Sequence, residues 1–353
     1  MTDLLARTAA LVDISSVSRH EEAIADVIEH ELREALHLAV TRVGNNVVAR
    51  TALGADRRLV FAGHLDTVPP AGNESARLDG DRLAGVGSAD MKGGLAVMVD
   101  LALAPPGAID ATYVFYVCEE IARVHSGLLE IVAEDPELLA GDAAVVLEPT
   151  AAVIEAGCQG VVRVSVHIGG HRAHSARPWM GENAIHRSAA LLARVAAFED
   201  VRVVLDGCEY HESLQAIGIE GGIAGNVVPD AVVVRLSHRF APNRSCEQAY
   251  AELEAFLLPV LDPTAGDHVA LEDSSPAAPP SLDHPLLSAL LKAVGAPPKA
   301  KLGWTDVAFF YERGVPAANY GPGDGELAHS PEEFVTRAEL DAVRATLGAL
   351  LEG

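Results

Sequence analysis

No apolar run approaches the roughly 18 residues that a membrane-spanning helix needs. The 49% hydrophobic content, spread over 353 residues, is therefore available for a buried core. The opening Met1-Thr-Asp-Leu-Leu-Ala-Arg7 lacks the basic stretch and apolar segment of a secretory signal, so the expected location is the cytoplasm. Basic residues are scarce: 26 Lys and Arg stand against 50 Asp and Glu, a formal charge of −24. Nucleic acid and anionic membrane both require clustered positive charge, and neither is expected as a partner. The four cysteines, Cys118, Cys158, Cys208 and Cys246, are scattered without CxxC spacing. That speaks against a zinc finger or a disulfide framework and for reduced, mostly buried thiols. A Gly-x-Ser-x-Gly elbow is also missing, which removes the main sign of a serine-nucleophile hydrolase.

What is present is organised around the stretch from Phe61 to Gly94. It reads Phe61-Ala-Gly-His64-Leu-Asp66-Thr-Val-Pro69, then a polar loop, then Gly85-Val-Gly-Ser-Ala-Asp90-Met-Lys-Gly-Gly94. Alternation along an extended chain puts His64 and Asp66 on one face, off the end of a buried strand. Glycines around Asp90 permit a sharp bend, and an apolar helix from Leu95 to Leu103 follows. His64 and Asp90 are read as ligands of one metal ion, with Asp90 also touching a second.

The length suggests two domains. Leu4 to Val12 reads as a short helix. A second helix is expected to open at Ser18 with Glu21 completing a capping box, its stripe Ile24, Val27, Ile28 and Leu32 facing a core. Val40–Val43 and Val47–Ala49 form a hairpin across Gly44-Asn-Asn46, and Leu59–Ala62 is a strand leading to His64. Two further apolar runs, Tyr113–Cys118 and Ala143–Leu147, end abruptly in Glu119-Glu120 and in Glu148. Three buried strands thus finish in potential ligands, and sites in open α/β sheets gather at strand ends. Near Gly160 the texture changes. Val161–Ile168 alternates as a half-exposed antiparallel strand should. A helix from about Asn183 to Phe198, strands Gln215–Glu220 and Ala231–Phe240, a helix near Ser245–Leu258 and a strand His268–Leu271 follow. The expectation is a split α/β domain, residues 1–160 and 273–353, carrying an α+β (ferredoxin-like) insert at 161–272. A Pro-rich hinge, Ser274 to Pro280, returns the chain to helices at Leu286–Val294, Asp306–Glu312 and a final one capped by Thr336 and Glu339.

A two-metal hydrolase needs one carboxylate shared by both ions, His and carboxylate ligands on each, and a base beside the attacking water. The strand ends offer His64, Asp90, Glu119, Glu120 and Glu148, and the glycine-rich loop Gly321-Pro-Gly-Asp-Gly-Glu-Leu-Ala-His329 supplies a further His. The motifs GHLDTVP, ADMKGG, CEE, LEPT, EAGCQG, AHSARPWMGENA, NVVPD, RFAPNR, KLGWTD and AHS, spread nearly end to end, are together highly specific. On them the chain resembles the dinuclear zinc aminoacylase and carboxypeptidase family.

The resemblance implies a three-layer catalytic domain with an inserted lid that dimerises. Two zinc ions per subunit would be bound, with cobalt or manganese compatible with the same ligands. His64 and Glu148 would hold one ion, Glu120 and His329 the other, and Asp90 would bridge them, followed by a cis peptide to Met91. Asp66 would orient His64, Glu119 would be the general base and then acid, and His174 of the lid would donate to the oxyanion from a partner subunit. The implied activity is hydrolysis of an acylated amino acid, with removal of succinate from N-succinyl-LL-2,6-diaminopimelate ahead of an acetylornithine-type deacylation or a dipeptidase reaction. A non-catalytic binding homologue is disfavoured because every catalytic position is filled. Substrate carboxylates call for local positive charge, and Arg177 and Arg239 suit two-pronged recognition. Asn226 is a polar anchor, and Gly303 and Thr305 flank Trp304 on the pocket wall. Ser88-Ala89 before Asp90, and Gly93-Gly94 after the lysine, depart from the commoner family wording without removing a ligand.

Overall fold

A computed structural model describes residues 3–353. The chain divides into two compact units. One comprises the chain up to Gly157, Pro280–Lys299 and Phe309–Gly353; the other comprises Cys158–Pro279 and Ala300–Ala308. The expected insert, 161–272, is therefore shorter at both ends than the observed second unit. That unit also takes the segment with Gly303 and Thr305, which the sequence reading left in the catalytic domain.

In the first unit the central sheet runs Ala39–Val43, Asn46–Arg50, Asp110–Tyr116, Arg58–His64, Ala143–Val146, Ala317–Asn319, Glu155–Ala156 and Lys299–Ala300. Its middle is parallel: Arg58–His64 lies between Asp110–Tyr116 and Ala143–Val146, and the latter also pairs in parallel with Ala317–Asn319. These strands are almost wholly buried along their length. That explains why they read as unbroken apolar runs rather than alternating ones. Ala317–Asn319 escaped the sequence reading because three small and polar residues carry no strand signature. It is nonetheless the fourth parallel strand, and its exit leads towards His329.

Helix Leu4–Val12 appears as expected, N-capped by the Asp3 carboxylate. The second helix does not open at Ser18. It spans Glu22–Arg33, with Glu21 at its N-cap and no side-chain cap bond. Both residues of the expected capping box have found tertiary partners instead: Ser18 Oγ donates to Asp66 Oδ2 at 2.7 Å, and Glu21 Oε1 accepts from the Cys118 N–H at 3.2 Å. The terminal helix Arg337–Glu352 does carry its box, Thr336 and Glu339 bonding reciprocally.

The second unit is built on an antiparallel sheet in the order Val201–Leu205, Cys208–Gly221, Ala231–Phe240, Gly160–Gly169 and His268–Ser275. Val162, Val164, Val166 and Ile168 form one core with Val232, Val234 and Leu236 and with Leu191, Val195, Leu253 and Leu257 of helices Ala184–Ala196 and Cys246–Leu257. Both helices thus pack on one face of the sheet. The sequence reading missed Val201–Leu205 and started the next strand at Gln215 rather than Cys208. The last strand runs on to Ser275, so the Pro-rich segment begins only at Pro276.

Candidate metal centre

The four parallel strands end on one edge of their sheet, and each hands its chain to a candidate ligand. His64 is the last residue of its strand. Its Nδ1 lies 2.9 Å from the Asp66 carbonyl oxygen, which leaves Nε2 facing Asp90 Oδ1 at 3.0 Å and Glu148 Oε1 at 4.0 Å. His329 Nε2 lies 2.9 Å from Glu120 Oε1 and 3.5 Å from Asp90 Oδ2. The two oxygens of Asp90 therefore face two different imidazoles. Potential donor atoms lie within 4.8 Å of one another in three sets: His64, Asp90 and Glu148; Asp90, Glu120 and His329; and His64, Glu119 and Glu120. The first two sets share Asp90.

Local backbone chemistry explains how these side chains meet. The Gly85–Gly93 turn passes Gly87 at φ +74°, where a Cβ would sit 2.6 Å from Thr67 Cγ2. Only glycine fits that conformation and that space. The Asp90–Met91 peptide is cis. Helix Gly93–Leu103 then starts so close to the sheet that a Cβ on Gly94 would lie 2.5 Å from the Leu147 carbonyl oxygen. Thr150 Oγ1 accepts from the Gly321 N–H at 3.1 Å, and Ala152 N–H donates to Gly321 O at 3.0 Å. This clips the exit of the Glu148 strand to the loop that carries His329.

Charge shapes the site further. Burial alone would depress the His64 imidazolium, but its hydrogen bond to Asp90 and the charges of Asp90, Asp66 and Glu119 outweigh it and hold its pKa well above the ordinary value. Hydrogen bonds to Asp90 and Glu120 push His329 up to about 10. Burial opposes ionisation of Asp90, yet the two histidines hold its carboxyl well below the usual range. Carboxylates crowded at a buried strand edge need positive charge among them, which divalent cations bound by O and N donors supply. The donor set present, two imidazoles and at least three carboxylates, fits borderline ions such as zinc, cobalt or manganese.

Asp66 does not hold His64 through its carboxylate, whose nearer oxygen is 3.7 Å from Nδ1. The carboxylate turns instead to the next strand exit, where it accepts from the Glu119 and Glu120 N–H groups. Cys118, at φ +60°, makes the bend before them. Burial, followed by the neighbouring Glu21, pushes its thiol up to about 12, so it is inert at neutral pH. None of the four cysteines is in a disulfide.

In the second unit, strands Ala173–His174 and Val227–Val228 pair with His174 opposite Val227, and Ser175 N–H donates to Asn226 O at 2.9 Å. Arg177 N–H donates to His174 O at 2.8 Å. His174, Arg177 and Asn226 are thereby brought together on one exposed corner. Arg239 is elsewhere in that unit, half-buried beside a cavity of about 390 Å³ shared with Gln159, Glu212 and Leu302. Burial, then the Arg163 charge, lowers its pKa. Gly303 is exposed, whereas Thr305 is buried and its carbonyl faces Cys158 Sγ at 3.6 Å.

Sequence reasoning passed over one residue at the first unit's site. Glu333 lies in Pro331-Glu-Glu333-Phe, which looks like an ordinary surface pair. In the structure it is buried and accepts from the Gly87, Ala89 and Asp90 N–H groups. Nothing in local periodicity marks it, because all three donors lie more than 240 positions away in the chain.

An α/β unit whose parallel strands converge on a carboxylate shared by two donor sets presents a candidate two-cation centre. The chain belongs to peptidase family M20/M25/M40, whose family model matches residues 60–353. Over 98% of both chains it is 48% identical to a Mycobacterium tuberculosis protein named putative succinyl-diaminopimelate desuccinylase DapE. It is 42% identical to the succinyl-diaminopimelate desuccinylase of Corynebacterium glutamicum, over 98% of this chain and 95% of that one. Among solved structures, aminopeptidase PepT of Bacillus cereus superposes with a TM-score of 0.80 at 21% identity, covering 99% of this chain and 97% of the other, a likeness of fold. No helix among the described residues is long and apolar enough to cross a membrane.

Proposed function

We propose that this chain is a metal-dependent amide hydrolase that removes succinate from N-succinyl-LL-2,6-diaminopimelate, a step of lysine and diaminopimelate synthesis, in the cytoplasm. The observation that carries the metal-dependent chemistry is Asp90, whose oxygens face His64 and His329 at 3.0 and 3.5 Å. The near full-length identity to two proteins bearing the desuccinylase name supports the acyl group.

Two zinc ions per subunit fit the donors, His64, Asp90 and Glu148 for one and Asp90, Glu120 and His329 for the other. Bound there, they would polarise the amide carbonyl and lower the pKa of a bound water towards about 7. Glu119, held at its N–H by Asp66, takes a proton from the attacking water and returns it to the departing amine. His174 hydrogen-bonds the oxyanion that develops on the carbonyl, from a second copy of the chain. Arg177 and Arg239 supply local cationic contacts for the substrate carboxylates in an otherwise acidic protein, Asn226 adds a polar anchor, and Gly303 and Thr305 belong to the pocket wall.

The second copy is expected on the free edge of the second unit's sheet. Strand Cys208–Gly221 pairs with Val201–Leu205 only as far as Glu212, so from Ser213 onward that edge has no neighbouring strand among the described residues. Ile217 and Ile219 are 56% and 53% exposed there, and an open apolar edge of this kind is normally covered.

The decisive experiment compares purified protein on N-succinyl-LL-2,6-diaminopimelate, N-acetylornithine and a dipeptide, with metal analysis alongside. Succinate release should dominate, disappear on chelation and return with two equivalents of metal. Glu119→Gln should lower kcat by about 10²–10⁴ with metal content unchanged. Preference for acetylornithine or the dipeptide overturns the substrate assignment, and turnover that survives chelation overturns the mechanism.

A further inference from the structure

The turn that presents Asp90 is not a regular helix start. Gly87, Ala89 and Asp90 direct their N–H groups to one side, where no helix or strand carbonyl receives them. All three go to Glu333: Oε1 accepts from Ala89 and Asp90 at 2.9 Å each, and Oε2 accepts from Gly87 at 3.0 Å. Glu333 is 1% exposed. The short strand Phe334–Thr336 that follows it pairs with Arg82–Ala84, so strand pairing drives the carboxylate onto the turn. The grip extends along the chain, because Gly85 N–H donates to the Glu333 carbonyl at 3.3 Å. Asn73 Nδ2 reaches the Ser330 carbonyl at 3.2 Å while the Asn73 carbonyl accepts from Val86 N–H at 2.8 Å.

His329 stands four residues before Glu333, at φ +62°. One continuous segment therefore delivers an imidazole to Asp90 Oδ2 and clamps the main chain of Asp90 itself. Burial, with the nearby Asp90 charge, pushes the Glu333 carboxyl up to about 7 against these three bonds, an unfavourable placement that a plain fold anchor does not need. Three hydrogen bonds converging on one buried side chain hold the main chain of the turn stiffly. A stiff hold is what a ligand shared between two ions requires, since its placement relative to both partners sets their affinity.

We propose that Glu333 is a positioning residue for the metal centre: through its three backbone hydrogen bonds it sets Asp90 against His329 and so preforms the Asp90–Glu120–His329 set. This rests on reading Asp90 as the shared ligand. Glu333 belongs to none of the three candidate donor sets. Its loss should show first in the affinity of the set containing His329, and less in the set of His64, Asp90 and Glu148, which the other strand exits hold.

The test uses the full chain, stripped with a chelator and titrated with zinc against a chromophoric competitor, and with cobalt followed by its visible absorption. Glu333→Ala and Glu333→Gln are compared with Val335→Ala, a buried change on the strand that follows, and with Glu332→Ala, an exposed neighbour. The parent should take two equivalents. Glu333→Ala should weaken one of them by about 10–100-fold and change the cobalt spectrum of that equivalent. Glu333→Gln, which keeps one acceptor oxygen, should fall between. Val335→Ala should lower Tm while leaving both affinities alone, and Glu332→Ala should change neither. If Glu333→Ala does not fold, the contrast between Glu333→Gln and Val335→Ala carries the same decision. A Glu333 variant that loses Tm but keeps both affinities overturns this inference while the metal centre stands. A parent that binds no metal overturns both.

Discussion

The carboxylate of Asp66 accepts hydrogen bonds from the backbone N–H groups of Glu119, at 3.0 Å, and Glu120, at 3.1 Å. Its own carbonyl meets Nδ1 of His64 at 2.9 Å. One residue thus ties two strand exits together, orienting the imidazole with its main chain and the acid pair with its side chain. Asp66→Ala should lower kcat/KM by about 10–100-fold while saturating metal is still bound, because the Glu119 turn loosens and the ligand atoms remain. Ser18→Ala removes only the 2.7 Å support on Oδ2 and should cost less than Asp66→Ala, because the bonds from the Glu119 and Glu120 N–H groups remain. Steady-state kinetics with metal analysis would check this, and full activity in Asp66→Ala would rule the tie out.

Metal binding should release protons. Both imidazoles hold theirs above the ordinary histidine value, His64 well above it and His329 to about 10. In chelated protein these protonated rings stabilise the fold fully below the unfolded histidine value of about 6.5, and that contribution fades as pH rises through the folded values. A cation must displace the protons, so affinity should rise with pH. Calorimetric titration near neutral pH in buffers of different ionisation enthalpy should give different heats; identical heats would contradict the account.

Gly94→Ala probes the approach of helix to sheet. The new Cβ would lie 2.5 Å from the Leu147 carbonyl oxygen and 3.0 Å from Leu147 Cβ. Backbone cannot move aside cheaply, and the overpacking should cost about 1–3 kcal/mol of stability. Because Glu148 follows Leu147, metal affinity should fall as well. Urea unfolding of the chelated variant would measure the first effect, and a midpoint equal to that of the parent would refute it.

The proposed dimer should become a monomer in the double variant Ile217→Glu, Ile219→Glu, and a parent that is itself monomeric would refute the dimer. The change puts two charges on an edge with no neighbouring strand among the described residues, and burying an unpaired charge is strongly unfavourable. Light scattering after gel filtration would show the mass. An unchanged dimer would move the interface to another surface.

The course of the chain explains which features could be read in advance. Glu119, Glu120 and Glu148 were legible because each breaks an apolar run, and such a run buried on both faces looks the same whatever its neighbours are. The insert was legible from Val162, Val164 and Val166, whose period of two survives any change of partner. Ser18 and Glu21 misled: their spacing suits a capping box, but an Asp66 carboxylate 48 positions away and a Cys118 N–H 97 positions away compete for them and win.

The amino-acid order alone determined that candidate metal-binding side chains would stand at the ends of buried strands, since hydrophobic runs and the charges that stop them are local properties. It could not determine that Ala317–Asn319 would be the fourth parallel strand, or that Glu333 would hold the turn of Asp90. Those depend on backbone hydrogen bonds between segments far apart in the chain. A backbone N–H carries no mark of its residue type, so only the folded chain decides which carboxylate it meets.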